Sequence, residues 1–587
     1  MRASFALIRI AVCWAALGLA LGCAKKKQAA EQPSAAPALA DLPEPPSVVA
    51  ELGMAHPDAA FRALRELGSP MSALLPAGFP MFAATALGLP PLSADSFDPD
   101  IAAVGTLAQS SKGALGWVVA LHVVSGPELI AKLSTGDHAP FHARPSDRQG
   151  LTLLQRSSVP GTPPPSSDAK PELPLGVFDN YLIAAADAEL LASVGPYTAR
   201  MLPRRPASTA ALAIRFSQRS LSTAVVPALR AFWASYRTSL ARQDQSDRAA
   251  HGGRAPDFGD PAQVILGMDA GVESVLAVLE GATALELDLD PAPSRLLLSL
   301  QFTPASGSAA QSVLAALGSG DAKGLLTLPA ETRFALGASR SLAERAEAAK
   351  VAGDDWVRLL GPRLSEHDAQ TLRGVLADWE LGRGTQTKFG FLAGADSGVF
   401  VVAEVADAAR LKRAGHGLFG MLGLPGVRAP LAEFLGQPRV TESVAAHSDF
   451  AAGVQLAKIV FAPSMVAGHA KPPAVPALSC AWFVSDKTGF AASGANAESV
   501  LRKVVLADRG SEASLGASPG VVDGVARIGD QAALFAYADA RGAAPTAPAA
   551  PAAPVFLSFG KRESSGVLRI EISKSAVDQA LSRLVGL

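Results

Sequence analysis

The chain has 587 residues, with 52 lysines and arginines against 53 aspartates and glutamates, so its formal net charge is −1. This balance excludes the strongly basic surface typical of proteins that bind nucleic acid, and we expect no nucleic-acid partner. Hydrophobic residues make up 49% of the chain and charged residues only 18%, which is enough apolar surface for more than one core.

The N-terminus is a short apolar segment that ends at a cysteine. Arg2 and Arg9 make its start positive, residues 10–21 are apolar, and small residues precede Cys23. The segment is too short to span a bilayer comfortably as a permanent helix. Residues 19–23, Leu-Ala-Leu-Gly-Cys, resemble the lipobox of bacterial lipoproteins. The alternatives are an ordinary secretory signal that is cut nearby, or a chance cysteine.

The resemblance implies a lipid anchor. A signal peptide, residues 1–22, would be removed, and Cys23 would carry a thioether diacylglycerol and an N-acyl chain. Residues 23–46, rich in alanine and proline, would form a tether, and the lysines at 25–27 would lie against anionic headgroups. Ala24 follows the cysteine, which by resemblance to Gram-negative sorting rules favours the outer membrane. The sequence leaves open which face of that membrane the protein occupies.

The folded sequence begins near residue 47 and repeats one local pattern. Strand, turn, strand and helix follow one another three times in each half of the chain. We predict these hairpins at residues 101–124, 177–185 and 283–302, and again at 389–405, 484–492 and 555–572. The repetition indicates an ancient duplication. The alternative is that this common unit of α+β proteins recurred independently.

Tight hairpins followed by helices predict the fold class. We expect an α+β protein with two similar halves, each a curved antiparallel sheet with helices packed on one face. The first half would cover residues 47–320 and contain a helical insertion at 218–280. The second half would cover residues 325–587.

The three cysteines have separate expected fates. Cys13 would leave with the signal peptide and Cys23 would be lipidated, so Cys480 would have no disulfide partner. Cys480 lies in the apolar run 478–483, which favours a buried structural thiol over a reactive one.

Two groups of residues are weak candidates for metal ligands. His138 and His142 have a spacing of four that suits two ligands on a helix, but Pro140 lies between them and the surroundings indicate a loop. Asp95, Asp98 and Asp100 form an acidic cluster without the glycine or bidentate glutamate of a calcium loop, so a turn explains them better. We therefore predict no metal site, no cofactor and no catalytic residue.

Three further stretches are explained most simply by ordinary structure. Glu286, Asp288 and Asp290 alternate along a strand, which predicts a solvated sheet face. Residues 394–398 faintly resemble a hydrolase nucleophile stretch, but a hairpin turn is the simpler interpretation. The apolar residues 417–435 favour interior helix packing, with a lid over a hydrophobic groove as the alternative.

The body resembles Ala-rich, functionally uncharacterised lipoproteins of Gram-negative bacteria, and this resemblance implies no site residues. Our first hypothesis is a membrane-anchored, non-enzymatic envelope protein that binds a protein partner or a ligand. The second is a carrier of lipid or another apolar ligand. The third is an envelope hydrolase whose site is assembled from distant residues. The sequence leaves the ligand and the oligomeric state open.

Overall fold

The computed structural model describes residues 42–68, 76, 78–136, 139–148, 150–157, 173–205, 208, 210–250, 261–394, 396–434, 437–445, 453–462, 478–529, 532–540 and 552–585. The predicted signal peptide, Cys23, the tether up to residue 41 and His138 lie outside these residues. None of the helices in the described part combines the length and the apolar character that crossing a membrane requires.

Hairpins and helices are interspersed along the described part of the chain. The strands are β1 Val48–Met54, β2 Ala103–Gln109, β3 Leu115–His122, β4 Phe141–Pro145, β5 Leu151–Arg156, β6 Leu175–Phe178, β7 Tyr181–Ala185, β8 Leu212–Ser217, β9 Ala282–Ala292, β10 Arg295–Pro304, β11 Thr332–Ser339, β12 Arg383–Leu392, β13 Gly398–Val405, β14 Gln437–Ala445, β15 Val454–Ala462, β16 Leu478–Val484, β17 Thr488–Gly494, β18 Ala532–Asp539, β19 Pro554–Arg562 and β20 Ser565–Ser573. The helices of six residues or more are α1 Pro57–Leu67, α2 Phe79–Ala86, α3 Gly126–Ser134, α4 Ala188–Ser193, α5 Gly195–Met201, α6 Val226–Ala250, α7 Pro261–Glu280, α8 Ala309–Ala316, α9 Leu342–Val351, α10 Asp354–Leu360, α11 Glu366–Gly382, α12 Ala408–Gly420, α13 Pro425–Phe434, α14 Ala497–Asp508, α15 Pro519–Ile528 and α16 Lys574–Val585. The predicted α+β class is confirmed.

The chain forms two compact units. Unit 1 contains the described residues within Met1–Val226, Ala282–Phe302 and Ile572–Leu587, and unit 2 those within Pro227–Gly281 and Thr303–Glu571. These units do not coincide with the predicted halves, since α16 belongs to unit 1 while α6, α7 and α8 belong to unit 2. Periodicity along a sequence predicts a helix, but it does not say which core that helix joins.

The strands of unit 1 pair in the order β10-β9-β8-β1-β2-β3-β7-β6-β5-β4. Those of unit 2 pair in the order β20-β19-β18-β11-β12-β13-β17-β16-β15-β14. Position by position, the two orders are the same. This agreement supports the predicted duplication. That the two units share an ancestor remains a proposal.

Helices cover both faces of the sheet in unit 1. Val119 and Leu121 on β3 pack in a core with α1, α2 and α3, whereas Val118 and Ala120 pack in another core with α4 and α5. Successive residues of a strand point to opposite faces, so a strand that is apolar at consecutive positions buries both. This differs from the prediction of helices on one face only.

The sheet of unit 2 also has two covered faces. Phe400 and Val402 on β13 belong to the core that contains α14 and α15. The opposite face of the same strands meets α11 and α12, and this second face carries the candidate site.

Candidate functional site

An apolar sheet face runs across five strands of unit 2, and it is concave where α12 covers β16, β17 and β13. The strand register aligns two rows of side chains on this face, since residues paired across antiparallel strands share a face. The first row is Cys480, Ser493, Val399, Phe391 and Phe334, and the second is Trp482, Ala491, Val401, Phe389 and Leu336. We call these ten residues the apolar cleft.

One end of the apolar cleft is roofed by α12. Leu411 packs directly on Gly489, and the Phe419 ring stacks on Trp482 with their centroids 4.8 Å apart. Beneath Gly415, Leu418 and Phe419 lies a cavity of about 180 Å³. For comparison, a cavity of roughly 150 Å³ in a protein core is large enough to bind benzene.

The other end of the apolar cleft is open to solvent. Phe334, Phe389 and Phe391 are each at least 40% exposed, and Val399 is 54% exposed. Large apolar side chains normally cluster inside a protein, and a contiguous exposed patch of them indicates a binding surface. The cavity and this open floor share Val399 and Val401, so they form one continuous apolar surface.

α12 carries glycine where the corresponding helix of unit 1 carries leucine, and the Trp482 side chain lies directly against this glycine. Ser125 caps α3 and Asp407 caps α12, and Leu133 and Gly415 each stand eight residues after their cap. In unit 1, Leu133 is buried and fills the space between α3 and the sheet. At Gly415 even a Cβ atom would lie only 2.8 Å from Trp482 Nε1.

The cavity is nearly free of polar groups, and no charged side chain lines it. The Cys480 thiol donates a hydrogen bond to Ser493 Oγ at 3.4 Å, and burial raises the pKa of that thiol. The Trp482 Nε1 donor is buried without an acceptor in the described part of the chain. The site is therefore neutral at physiological pH and suited to apolar ligands.

A buried cluster of arginines borders the apolar cleft. Thr387 lies two residues before Phe389 on β12, and both Arg345 and Arg383 donate hydrogen bonds to its hydroxyl, at 3.4 and 3.3 Å. Glu380 is the carboxylate that pairs with both arginines. Burial, and then repulsion from Arg383, lower the pKa of Arg345 to about 10. Because Glu380 carries one negative charge and the two arginines carry two positive charges, the cluster keeps a net charge of +1.

Two buried donors in this cluster also lack acceptors. The Nε atoms of Arg345 and Arg383 have no hydrogen-bond partner in the described residues, and the whole Arg345 residue is 2% exposed. A buried guanidinium donor without an acceptor is costly.

The residues considered as metal ligands do not form a site in the described chain. His142 and Asp95 are exposed, and Asp98 accepts a hydrogen bond from the Asp100 backbone at 3.1 Å, as in an Asx turn. No group of three or more histidine, cysteine, aspartate or glutamate side chains there is placed to hold a metal. His138 lies outside the described residues.

One histidine does lie beside a carboxylate. His122 Nδ1 is 3.8 Å from Asp98 Oδ2, and its ring contacts Tyr181 edge-on at 5.1 Å. Burial lowers the pKa of His122, with Asp98 acting in the opposite direction. Within the described ranges no hydrogen bond joins this ring to a hydroxyl or thiol, so no observation supports a hydrolase triad here.

Residues 417–435 contribute partly to the roof. Leu418 and Phe419, in the last turns of α12, line the cavity. α12 ends at Gly420, a turn follows at Met421–Gly423, and α13 begins at Pro425. None of Leu418, Phe419, Met421, Leu422 and Leu424 is buried, so the prediction of interior packing is wrong for these residues, whereas the groove cover describes Leu418 and Phe419.

The acidic residues of β9 are less solvated than the sequence suggests. Burial first, and then repulsion from Glu286 and Asp290, raise the pKa of Asp288 to about 6. An unfolded aspartate titrates near pH 3.9, so the folded protein keeps this proton up to a higher pH than the unfolded chain does. The protein therefore loses stability as pH rises from about 4 to about 6.

Replacing Asp288 by asparagine should therefore stabilise unit 1 above pH 6. We expect a gain of about 1–2 kcal/mol in the free energy of unfolding at pH 7.5, discounted for partial exposure, and almost none at pH 3.5. Urea unfolding at both pH values measures this. Asp100→Asn, at an exposed turn of the same unit, is the control and should change little at either pH. A gain that is equal at both pH values would contradict the assignment.

Comparison of the chain with protein-family models, curated proteins and solved structures finds no match.

Proposed function

We propose that this protein is a non-enzymatic, lipid-anchored lipoprotein of the bacterial outer membrane that binds an apolar ligand in the apolar cleft of unit 2. The observation that carries the ligand-binding part is the cavity beneath Gly415, continuous with an exposed apolar floor. The resemblance of residues 19–23 to a lipobox supports the anchor. The two parts belong together, because a membrane supplies apolar ligands.

A protein partner is the second candidate for this surface. The exposed phenylalanines at the open end of the apolar cleft favour it, since aromatic side chains are enriched at the centres of protein interfaces. The roofed end distinguishes the two candidates. A partner would cover the open floor alone, whereas a small ligand would enter the cavity and contact Cys480 and Trp482.

Filling the cavity should abolish ligand binding. Ala491 lies on its floor between Trp482 and Val401, and phenylalanine at this position would occupy the space that a ligand needs. We expect Ala491→Phe to weaken binding of N-phenyl-1-naphthylamine, a neutral fluorescent probe, at least tenfold. The full chain is used, held in an amphipathic polymer without detergent. Ala284→Phe, at an exposed position on β9, should leave the affinity unchanged.

The same probe should protect Cys480 from alkylation. Peptide mass spectrometry after treatment with N-ethylmaleimide reports the modification of Cys480 separately from that of other cysteines. We expect the probe to slow this modification in the unsubstituted chain but not in Ala491→Phe. Equal alkylation rates with and without bound probe would rule out the cavity and favour a protein partner.

A further inference from the structure

The dimensions of the apolar cleft match an extended chain better than a compact ligand. The cleft crosses five neighbouring strands, from β16 through β17, β13 and β12 to β11. Four steps of about 4.8 Å between strands give it a length of about 19 Å. One lipid acyl chain spans about 15 Å, half of the roughly 30 Å hydrocarbon core of a bilayer.

The two ends of the apolar cleft differ in charge. The roofed end beneath Gly415 has no charged side chain in its lining, so it suits a hydrocarbon tail. The Arg345–Arg383 cluster lies beside the open end and is neutralised only in part by Glu380. Arg383 also lies over the ring of Trp379, a cavity-lining residue, 5.1 Å from its centroid. Phe389 is the link, because it lies in the second row of the apolar cleft and two residues after Thr387, the threonine that both arginines contact. An anionic group at this end would experience a favourable field.

We infer that the ligand is a single-chain fatty acid, laid across the strands with its tail under α12 and its carboxylate at the open end beside the Arg345–Arg383 cluster. This inference rests on the proposed function and specifies its ligand. Three separate observations support it: the length of the cleft, the apolar roofed end, and the excess positive charge of the Arg345–Arg383 cluster. A compact apolar ligand would use only the cavity, and a neutral one would gain nothing from the arginines.

The test compares chain lengths and headgroups on the full chain. Dissociation constants are measured by displacement of the naphthylamine probe with octanoate, palmitate and 1-hexadecanol, each below its aggregation concentration. Palmitate should bind at least tenfold more tightly than octanoate, because its longer chain covers the open floor as well as the cavity. Palmitate should also bind at least tenfold more tightly than hexadecanol at low salt, and this preference should shrink as sodium chloride is added.

Two substitutions test where the acyl chain of the ligand lies. Phe391→Ser removes part of the open floor and should weaken palmitate severalfold while leaving octanoate unchanged. Ala491→Phe should weaken both. Val444→Ser changes a valine that is 65% exposed on β14, outside the apolar cleft, and should change neither affinity.

The possible results separate the inference from the proposed function. Suppose that Ala491→Phe abolishes binding while octanoate and palmitate bind equally, or while Phe391→Ser has no effect on palmitate. Either result would show that no acyl chain extends across the open floor, but the proposed site for an apolar ligand would stand. If palmitate and hexadecanol bind equally, the carboxylate assignment is wrong. If no probe binds, or Ala491→Phe has no effect on any of them, both the inference and the proposed function fail.

Discussion

Replacing Cys23 by alanine is expected to abolish fatty-acid labelling of this protein and to release it from membranes. The lipobox-like stretch at residues 19–23 motivates this expectation, because the cysteine sulfur is the atom that would carry the diacylglycerol. Each buried methylene contributes about 0.8 kcal/mol to membrane binding, and several acyl chains together give an anchor that does not dissociate readily. The effect should therefore be all-or-none.

The measurement uses an alkyne fatty-acid analogue in a bacterial host, followed by fractionation of the envelope. The chain provides two matched controls, Cys13→Ala within the predicted signal peptide and Cys480→Ala in the apolar cleft, and both should retain the label. Labelling that persists in Cys23→Ala would overturn the anchor. Loss of the label in Cys480→Ala instead would indicate that the fatty acid is attached at the cleft.

Local sequence signals predicted the hairpins well. The predicted pairs at residues 283–302 and 555–572 correspond to β9–β10 and β19–β20, whose alternating apolar positions and short polar turns are both visible in the sequence. Asp187 and Asn496 cap α4 and α14 through their side chains, and both are residue types that favour the start of a helix. These features depend on residues close together in the chain, which is why sequence alone identifies them.

The strands β14 and β15 were missed. Along β14, Arg439, Glu442 and Ser443 are exposed, so no strong apolar alternation marks it as a strand. Its nine paired positions with β15 provide what the pattern lacks, since backbone hydrogen bonds do not depend on side-chain type. Sequence periodicity reports burial, and a largely exposed strand leaves little of that signal.

The apolar cleft could not be predicted because its rows join five strands that lie far apart in the sequence. Phe334 and Cys480 belong to one row, yet they are separated by most of unit 2. One signal was available: the eighth residue after the helix cap is Leu133 in one half and Gly415 in the other. This difference marks the place where Trp482 packs closely against α12.

The arginines beside the apolar cleft belong to α9 and to the start of β12, and nothing in their local sequence distinguishes them from surface residues. Their burial results from packing between α9, α11 and the sheet. A second buried charge in unit 2, Glu571 on β20, has the same origin. It is 3% exposed, and Arg527 on α15 holds it with two hydrogen bonds, of 2.8 and 2.6 Å.

Removing Arg527 should destabilise unit 2 strongly, because Glu571 would remain buried without its counter-charge. We expect Arg527→Met to lower the free energy of unfolding by about 3–5 kcal/mol at pH 7.5. Urea unfolding of the full chain at pH 7.5 measures this loss.

Two further variants make this prediction specific. In Arg527→Met/Glu571→Gln the buried charge is absent, so most of the stability at pH 7.5 should return. Lys350→Met breaks an ion pair with Glu347 in which both side chains are at least 65% exposed, and it should cost about 0.5 kcal/mol or less. If Arg527→Met costs no more than Lys350→Met, Glu571 reaches water and the buried ion pair does not stabilise the fold.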